Sequence, residues 1–182
     1  EVMVSRRESE DEPTGKPIVL HVGHLKGRRN LEALEAVDDR FHCVLVLSGY
    51  SPESREEELL HSLRQRENLT VIDRYLPDIQ ELYQLADIYL FPVKTLHGCI
   101  DLPLSALEAA GCGIPVVCTA YGELAELVGK GGFYRLDSFA PEELNPLLER
   151  ACMEKAETRR YALEYDWTAA VEALLSGDMD RR

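Results

Sequence analysis

From residue 17 onward, short runs of continuous apolar residues alternate with segments whose apolar positions recur every three or four residues. PIVLHV (17–22), HCVLVLS (42–48), LTVID (69–73), DIYLFPV (87–93), IPVVC (114–118) and GGFYRL (131–136) read as strands. Between them, NLEALEAV (30–37) sets Leu31, Leu34 and Val37 on one helical face. PESREEELLHSLRQRE (52–67), PDIQELYQLA (77–86), the middle of DLPLSALEAAGCGIPVV (101–117) and GELAELVG (122–129) read as further helices, and the stretch from Pro141 to about Ser176 as two more. Strands that are apolar from end to end are buried on both faces, which makes the sheet parallel. Right-handed crossovers then give an α/β, doubly wound, Rossmann-like domain.

Composition narrows the class. The chain has 182 residues, 45% of them hydrophobic, enough for one domain with a sizeable core. Its formal net charge of -13 argues against nucleic acid as a partner. No apolar run approaches the roughly 20 residues of a membrane span and no signal-peptide pattern opens the chain, so any membrane association is expected to be peripheral. The cysteines, Cys43, Cys99, Cys112, Cys118 and Cys152, are odd in number and widely spaced. That favours reduced thiols in a cytoplasmic setting and no metal site. Residues 1–16, which start at Glu1, are charged and poor in apolar side chains. They read as a linker or trimmed start of a longer polypeptide, with 17–176 as the domain, its C-terminal helices from about 141, and 177–182 as a tail.

Ligands of such sheets bind outside the carboxyl ends of the strands. The loops there gather Gly23, His24, Lys26, Arg28, Arg29, Tyr50, Arg74, Tyr75, Lys94, His97, Asp101, Thr119 and Tyr121. Cations, glycines and a helix N-terminus on one rim suit a phosphate-bearing ligand. The familiar nucleotide signatures are missing: no G-x-x-x-x-G-K-[ST] occurs, and Gly111-Cys112-Gly113 falls after a helix rather than before one. The odd residue is Glu108, a carboxylate in an otherwise apolar helix. Buried without a partner it would be costly, so protein or ligand must meet it. At about 100° per residue, Asp101, Ser105 and Glu108 share one stripe facing the rim.

The order of GHLKGRRNLEAL, VLVLSG, VIDRYLPDIQELYQLADIYLFPV, PLSALEAAGCGIPVV, TAYGELAELV and RRYALEYDWTAAVEAL resembles the C-terminal, donor-binding domain of a GT-B glycosyltransferase of the family 4 (group 1) kind. The resemblance covers Pro17 to Leu174. It implies one half of a GT-B architecture that holds a nucleotide-sugar (UDP-, GDP- or ADP-sugar) without a metal or other cofactor. An N-terminal GT-B domain, missing here or separate, would supply most of the acceptor site. By the same resemblance Glu108 accepts hydrogen bonds from the ribose hydroxyls, which suits an acceptor-only group facing a cis-diol. Lys26 and Gly27, after Gly23 in the same loop, match the segment that holds the donor diphosphate. The loop is short, so Arg28 or Arg29 shares that role. Leu104 and Ser105 offer first-turn N–H groups to phosphate oxygens. Tyr75 and Leu76 edge the nucleobase.

One departure stands out. The first glutamate of the family's pair should fall eight positions before Glu108, where this chain has Ile100. Asp101 beside it and His97 are the candidates for the sugar, and Asp101-Leu102-Pro103 replaces the expected Gly-rich turn. The expected function is the donor domain of a retaining glycosyltransferase, inactive without its acceptor domain. The alternatives are a catalytically degenerate interaction or regulatory module and a sugar-nucleotide epimerase of the same fold. Trp167 reads as a packing anchor, and an apolar strip is expected around 165–174, where the C-terminal helices would cross onto the other domain.

Overall fold

The computed structural model describes residues 15–48, 56–94 and 99–165. Six strands form one sheet: β1 (Ile18–Gly23), β2 (His42–Leu47), β3 (Leu69–Ile72), β4 (Ile88–Phe91), β5 (Val116–Cys118) and β6 (Phe133–Arg135). Their order is β3-β2-β1-β4-β5-β6, and every pairing is parallel. This is the doubly wound arrangement that the apolar runs predict, with its switch point between β1 and β4.

Alternate residues of each strand feed two cores. Val19, Cys43, Leu45, Ile88, Leu90 and Val117 pack on one face against Leu34, Leu60 and Leu63 and against Leu144 and Leu148. The last two lie on α5 (Pro141–Met153), while Leu60 and Leu63 lie on α1 (Glu57–Arg64). Leu20, Val22, Val46, Tyr89, Phe91 and Val116 face the other way. They meet α2 (Gln80–Leu85), α3 (Leu104–Gly111) and α4 (Leu124–Leu127) through Tyr83, Ala106, Ala109 and Leu124. Next to them stand α6 (Thr158–Ala162) and a closing 3-10 turn, Leu163–Tyr165. No helix among the described residues is long and apolar enough to cross a membrane.

The first crossover differs from its expected form. Residues 30–37 do carry Leu31 and Leu34 inward, but as a 3-10 helix, Leu31–Ala36, preceded by Asn30 at φ 53°. Two buried asparagines then fix the turn into β2. Asn145 accepts the Asp38 N–H at 2.8 Å and donates to the Ala36 and Pro141 carbonyls at 3.0 Å each. Asn68 donates to the Asp38 carbonyl at 3.2 Å. Asn145→Ala strands a buried donor and acceptor together, and is expected to cost about 2 kcal/mol of unfolding free energy in urea titrations.

Candidate functional site

β1 and β4 are in register only at Val19↔Ile88 and Leu20↔Tyr89, whereas β1 and β2 keep six pairs, through Gly23↔Leu47. Beyond Leu20 the two central strands part, and side chains fill the gap. The Tyr89 N–H bonds to Pro115 and the Phe91 carbonyl to Thr119, both toward β5, so strand alternation turns the Leu90 carbonyl toward β1. There it meets no backbone donor of β1 in the described register; His21 Nδ1 donates to it at 2.8 Å. A carbonyl only accepts, so the proton is on Nδ1 and Nε2 is a bare acceptor. That nitrogen is buried without a partner among the described residues. A Cβ at residue 23 would lie 2.7 Å from it, which explains glycine there; Gly23 closes β1 rather than belonging to the loop. Burial, against the Leu90 bond and reinforced by the Arg29 charge, pushes the His21 pKa down to about 4.

The following loop carries the cations. Lys26, half-buried, precedes a 3-10 turn, Gly27–Arg29. Among the described residues neither Lys26 nor Arg28 forms an ion pair. Arg29 turns inward: its Nη1 donates to Cys99 Sγ at 3.2 Å, and its buried Nε has no partner among the described residues. Partial desolvation of the ring, then Arg29 and Lys26, holds the His24 pKa below its ordinary value. The Gly27 N–H already has an anion, donating to Glu56 Oε1 at 2.6 Å. Lys94 is not part of this group; its Nζ donates to the Asp137 carbonyl at 2.8 Å and lies over the Phe139 ring.

Helix α3 faces this loop across the gap. Pro103 is its N-cap, and its carbonyl takes the N–H groups of Ala106 and Leu107. Leu104 and Ser105 therefore have first-turn N–H groups without intrahelical acceptors. Asp101 falls before the helix, so it leaves the stripe projected for it. Its carbonyl takes the Glu123 N–H at 3.1 Å, and its carboxylate lies against the Gly122 turn. Ser105 Oγ is 2.7 Å from the buried Tyr89 hydroxyl, which is also 3.2 Å from the Val22 carbonyl. The phenol donates to the carbonyl and takes the serine proton, so the Ser105 hydroxyl is engaged inward. Glu108 is exposed rather than buried. It meets the Tyr83 hydroxyl, which donates to its Oε2 at 2.7 Å.

Beyond β2 and β3 a cleft of about 600 Å³ opens between Val46, Ser48, Arg74, Tyr75, Leu76 and Ile79. Tyr75 is 88% exposed, and Leu76 is half-buried. Helix α2 joins the two regions, since Ile79 at its start lines the cleft and Tyr83 reaches Glu108. The structure thus places Gly23, Lys26, Gly27, Arg28, Arg29, Leu104, Ser105, Glu108, Tyr75 and Leu76 along one carboxyl edge of the sheet. His97, Tyr50 and Trp167, with most of the strip 165–174, lie outside the described residues. Sequence reasoning passes over His21, Tyr83 and Tyr89, and takes Glu56 only as part of a solvated helix face with Glu57 and Glu58, whereas it precedes α1 and meets the Gly27 N–H. Of the first three only His21 carries a signal, as the polar residue inside an apolar strand. Among the described residues no three His, Cys, Asp or Glu side chains converge to hold a metal ion.

A parallel doubly wound sheet with Lys26, Arg28, a helix start and the exposed Glu108 carboxylate along its switch-point rim defines a Rossmann-like α/β domain. The chain belongs to the glycosyl transferases group 1 family, whose model matches residues 5–165. It is 28% identical over 165 residues to the O-antigen chain mannosyltransferase B of Escherichia coli, an alignment covering 81% of this chain and 42% of that protein. Among solved structures it is similar to sucrose-phosphate synthase from Thermosynechococcus elongatus, with a TM-score of 0.70, 22% identity and coverage of 93% of this chain and 46% of that one. It is also similar to Anabaena Alr3699/HepE in complex with UDP-glucose, with a TM-score of 0.67, 16% identity and coverage of 91% and 49%. The chain therefore spans less than half the length of these proteins. Their common fold is that of GT-B glycosyltransferases.

The His21 ring makes a prediction about stability. Its pKa is lower folded than unfolded, so the unfolded chain binds more protons between the two values and stability falls as pH drops from about 6.5 toward 4. The full effect is about 3 kcal/mol, lost progressively through that window and fully present above it. Urea midpoints measured from pH 7.5 to 4.5 should show this slope in the natural chain and a shallower one in His21→Leu.

Proposed function

We propose that this chain is the donor-binding half of a retaining glycosyltransferase and holds a nucleotide-diphosphate sugar at the carboxyl edge of its sheet. The observation that carries the reading is the layout of α3: free N–H groups at Leu104 and Ser105, and one turn on, about 6 Å along the axis, the exposed carboxylate of Glu108. A diphosphate at the helix start and a ribose one turn further would meet both. Lys26, with Arg28 or Arg29, faces the same diphosphate and stabilises the negative charge that grows on it as the sugar departs. The Ser105 hydroxyl is occupied by Tyr89, so serine contributes its N–H alone. Tyr75 and Leu76, in the cleft beyond β2 and β3, edge the base. Asp101 and His97 are assigned to the sugar, and no general base is assigned within this domain. The acceptor belongs to the N-terminal half of a longer protein. A UDP-, GDP- or ADP-sugar fits this reading equally, and the UDP-glucose of the Anabaena neighbour makes UDP the first to try.

One observation favours a second reading, in which sugar handling has been lost and the domain serves interaction or regulation. Ile100, where the family resemblance calls for an acid, is 59% exposed, as is Leu104 four residues further along the chain. Detectable sugar transfer by the full-length protein, lost on changing Lys26, would exclude it.

Calorimetric titration of the 182-residue chain with UDP-, GDP- and ADP-sugars is expected to show one class binding below millimolar concentration. Binding of none by a folded chain would sink the proposal. Lys26→Ala should weaken nucleoside diphosphate and inorganic pyrophosphate alike, by roughly tenfold or more. Glu108→Gln should weaken the nucleotide and spare pyrophosphate; equal losses would remove the ribose assignment.

Glu56 makes a prediction of opposite sign. Its carboxylate occupies the Gly27 N–H that a diphosphate would approach, and two anions cannot share that donor at little cost. Glu56→Ala is expected to tighten pyrophosphate binding about three- to tenfold, most clearly at low salt.

A further inference from the structure

We propose that Tyr83 is a positioning residue of the ribose site: its phenol, fixed from beneath by α2, holds the Glu108 carboxylate in the orientation that receives the sugar hydroxyls. The inference rests on the ribose reading of Glu108 and deepens it.

Tyr83 is 2% exposed, and a buried phenol requires an acceptor. It finds one in Glu108 Oε2 at 2.7 Å, a charge-assisted bond of the stronger kind. Glu108 itself is exposed and belongs to the longer, more freely rotating side chains, whose ordering carries a substantial entropy cost. The bond meets that cost on folding. It takes one acceptor position on Oε2 and leaves Oε1 and the second lone pair of Oε2 without a protein donor among the described residues, on a side chain that solvent reaches. Those two positions suit the two donors of a cis-diol. Burial, then the neighbouring Tyr89, then Glu108, pushes the Tyr83 pKa upward, so the phenol keeps its proton and stays a donor.

A second phenol repeats the device one turn earlier. Tyr89 on β4 holds Ser105, and the Tyr83 and Tyr89 rings stand 6.0 Å apart at 43°. Helix α3 packs through small residues, Ala106, Ala109 and Ala110, and the two phenols add side-chain hydrogen bonds to that packing. Because Ile79 at the start of α2 lines the base cleft, the same helix that carries Tyr83 also borders the place assigned to the base.

The test is a double-mutant cycle on the 182-residue chain, with ribonucleoside diphosphate and inorganic pyrophosphate as paired probes in calorimetry. Tyr83→Phe removes one hydroxyl and keeps the ring. It should weaken the ribonucleotide by about five- to twentyfold and change pyrophosphate by less than about twofold. In a Glu108→Gln background the same change should have no further effect on the nucleotide. Additive losses, or losses shared equally by pyrophosphate, would mean a general role in packing and overturn the inference. If Glu108→Gln spares the nucleotide in the first place, the ribose reading and this inference fall together. If Glu108→Gln behaves as expected and Tyr83→Phe does not, the inference alone falls. A second measurement holds even where Tyr83→Phe does not fold. In the chain labelled with 3-fluorotyrosine, one fluorine resonance should move with Glu108→Gln and with ribonucleotide, but not with pyrophosphate. Absence of any resonance that responds to both would overturn the inference.

Discussion

Everything at the carboxyl edge follows from the early parting of β1 and β4. Their register holds at only two pairs, and the Leu90 carbonyl, turned toward β1, would be stranded in a low-dielectric interior without the His21 ring. The histidine lets the ladder end without leaving that carbonyl bare. It must be neutral to do so, because no carboxylate among its described contacts offsets a charge and Arg29 opposes one. Gly23 follows from the same ring, since any side chain there would press on Nε2. A single substitution of imidazole for a backbone donor thus opens the crevice and dictates the residue at its lip.

The gap sets the next layer. Phenols reach into it from β4 and α2, and each has a buried hydroxyl that must find an acceptor or a shared proton. Tyr89 finds Val22 and Ser105; Tyr83 finds Glu108. The usual way to view Glu108 is as a carboxylate in need of a partner. The burial figures reverse this, for the glutamate is in water's reach and the tyrosine is not. Glu108 satisfies Tyr83 as much as Tyr83 holds Glu108, and the arrangement costs little because each group's requirement is met by the other.

Periodicity made the sheet legible. Six runs such as PIVLHV and IPVVC are apolar from end to end because both faces are covered, and no competing element produces that pattern at such regular spacing. Helix type was less legible: residues 30–37 carry a helical face, yet Leu31–Ala36 winds as a 3-10 helix, because the spacing of Leu31 and Leu34 suits a repeat of three as well as one of 3.6. The candidate site divided in the same way. Lys26, Arg28 and Glu108 stand out as candidates because charge in a loop, or in an apolar helix, is conspicuous locally. Their controlling partners do not. Tyr83 lies 25 positions from Glu108 and Glu56 lies 29 from Gly27, and nothing in either local pattern marks the pairing. The stripe of Asp101, Ser105 and Glu108 failed at its first member because Pro103 starts the helix two residues too late.

The two ends of the site differ in what fixes them, which bears on how much the departure at Ile100 disturbs. At the end proposed for the diphosphate and ribose, side chains set the geometry: Tyr89 to Ser105 and Tyr83 to Glu108. At the end proposed for the sugar, the backbone does. The Tyr121 hydroxyl takes the Cys99 N–H at 3.1 Å and donates to the Cys99 carbonyl at 2.6 Å, and the Asp101 carbonyl takes the Glu123 N–H. Segment 99–101 is therefore stitched to the turn at 121–123 at both of its ends, with Ile100 outward between them. These ties run through backbone atoms of 99 and 101 and not through the side chain at 100, so on the proposed reading an apolar residue there removes a polar contact from the sugar without moving α3. On the proposed reading, the nucleotide end keeps its geometry whatever becomes of the sugar, and nucleotide and sugar binding can be gained or lost separately.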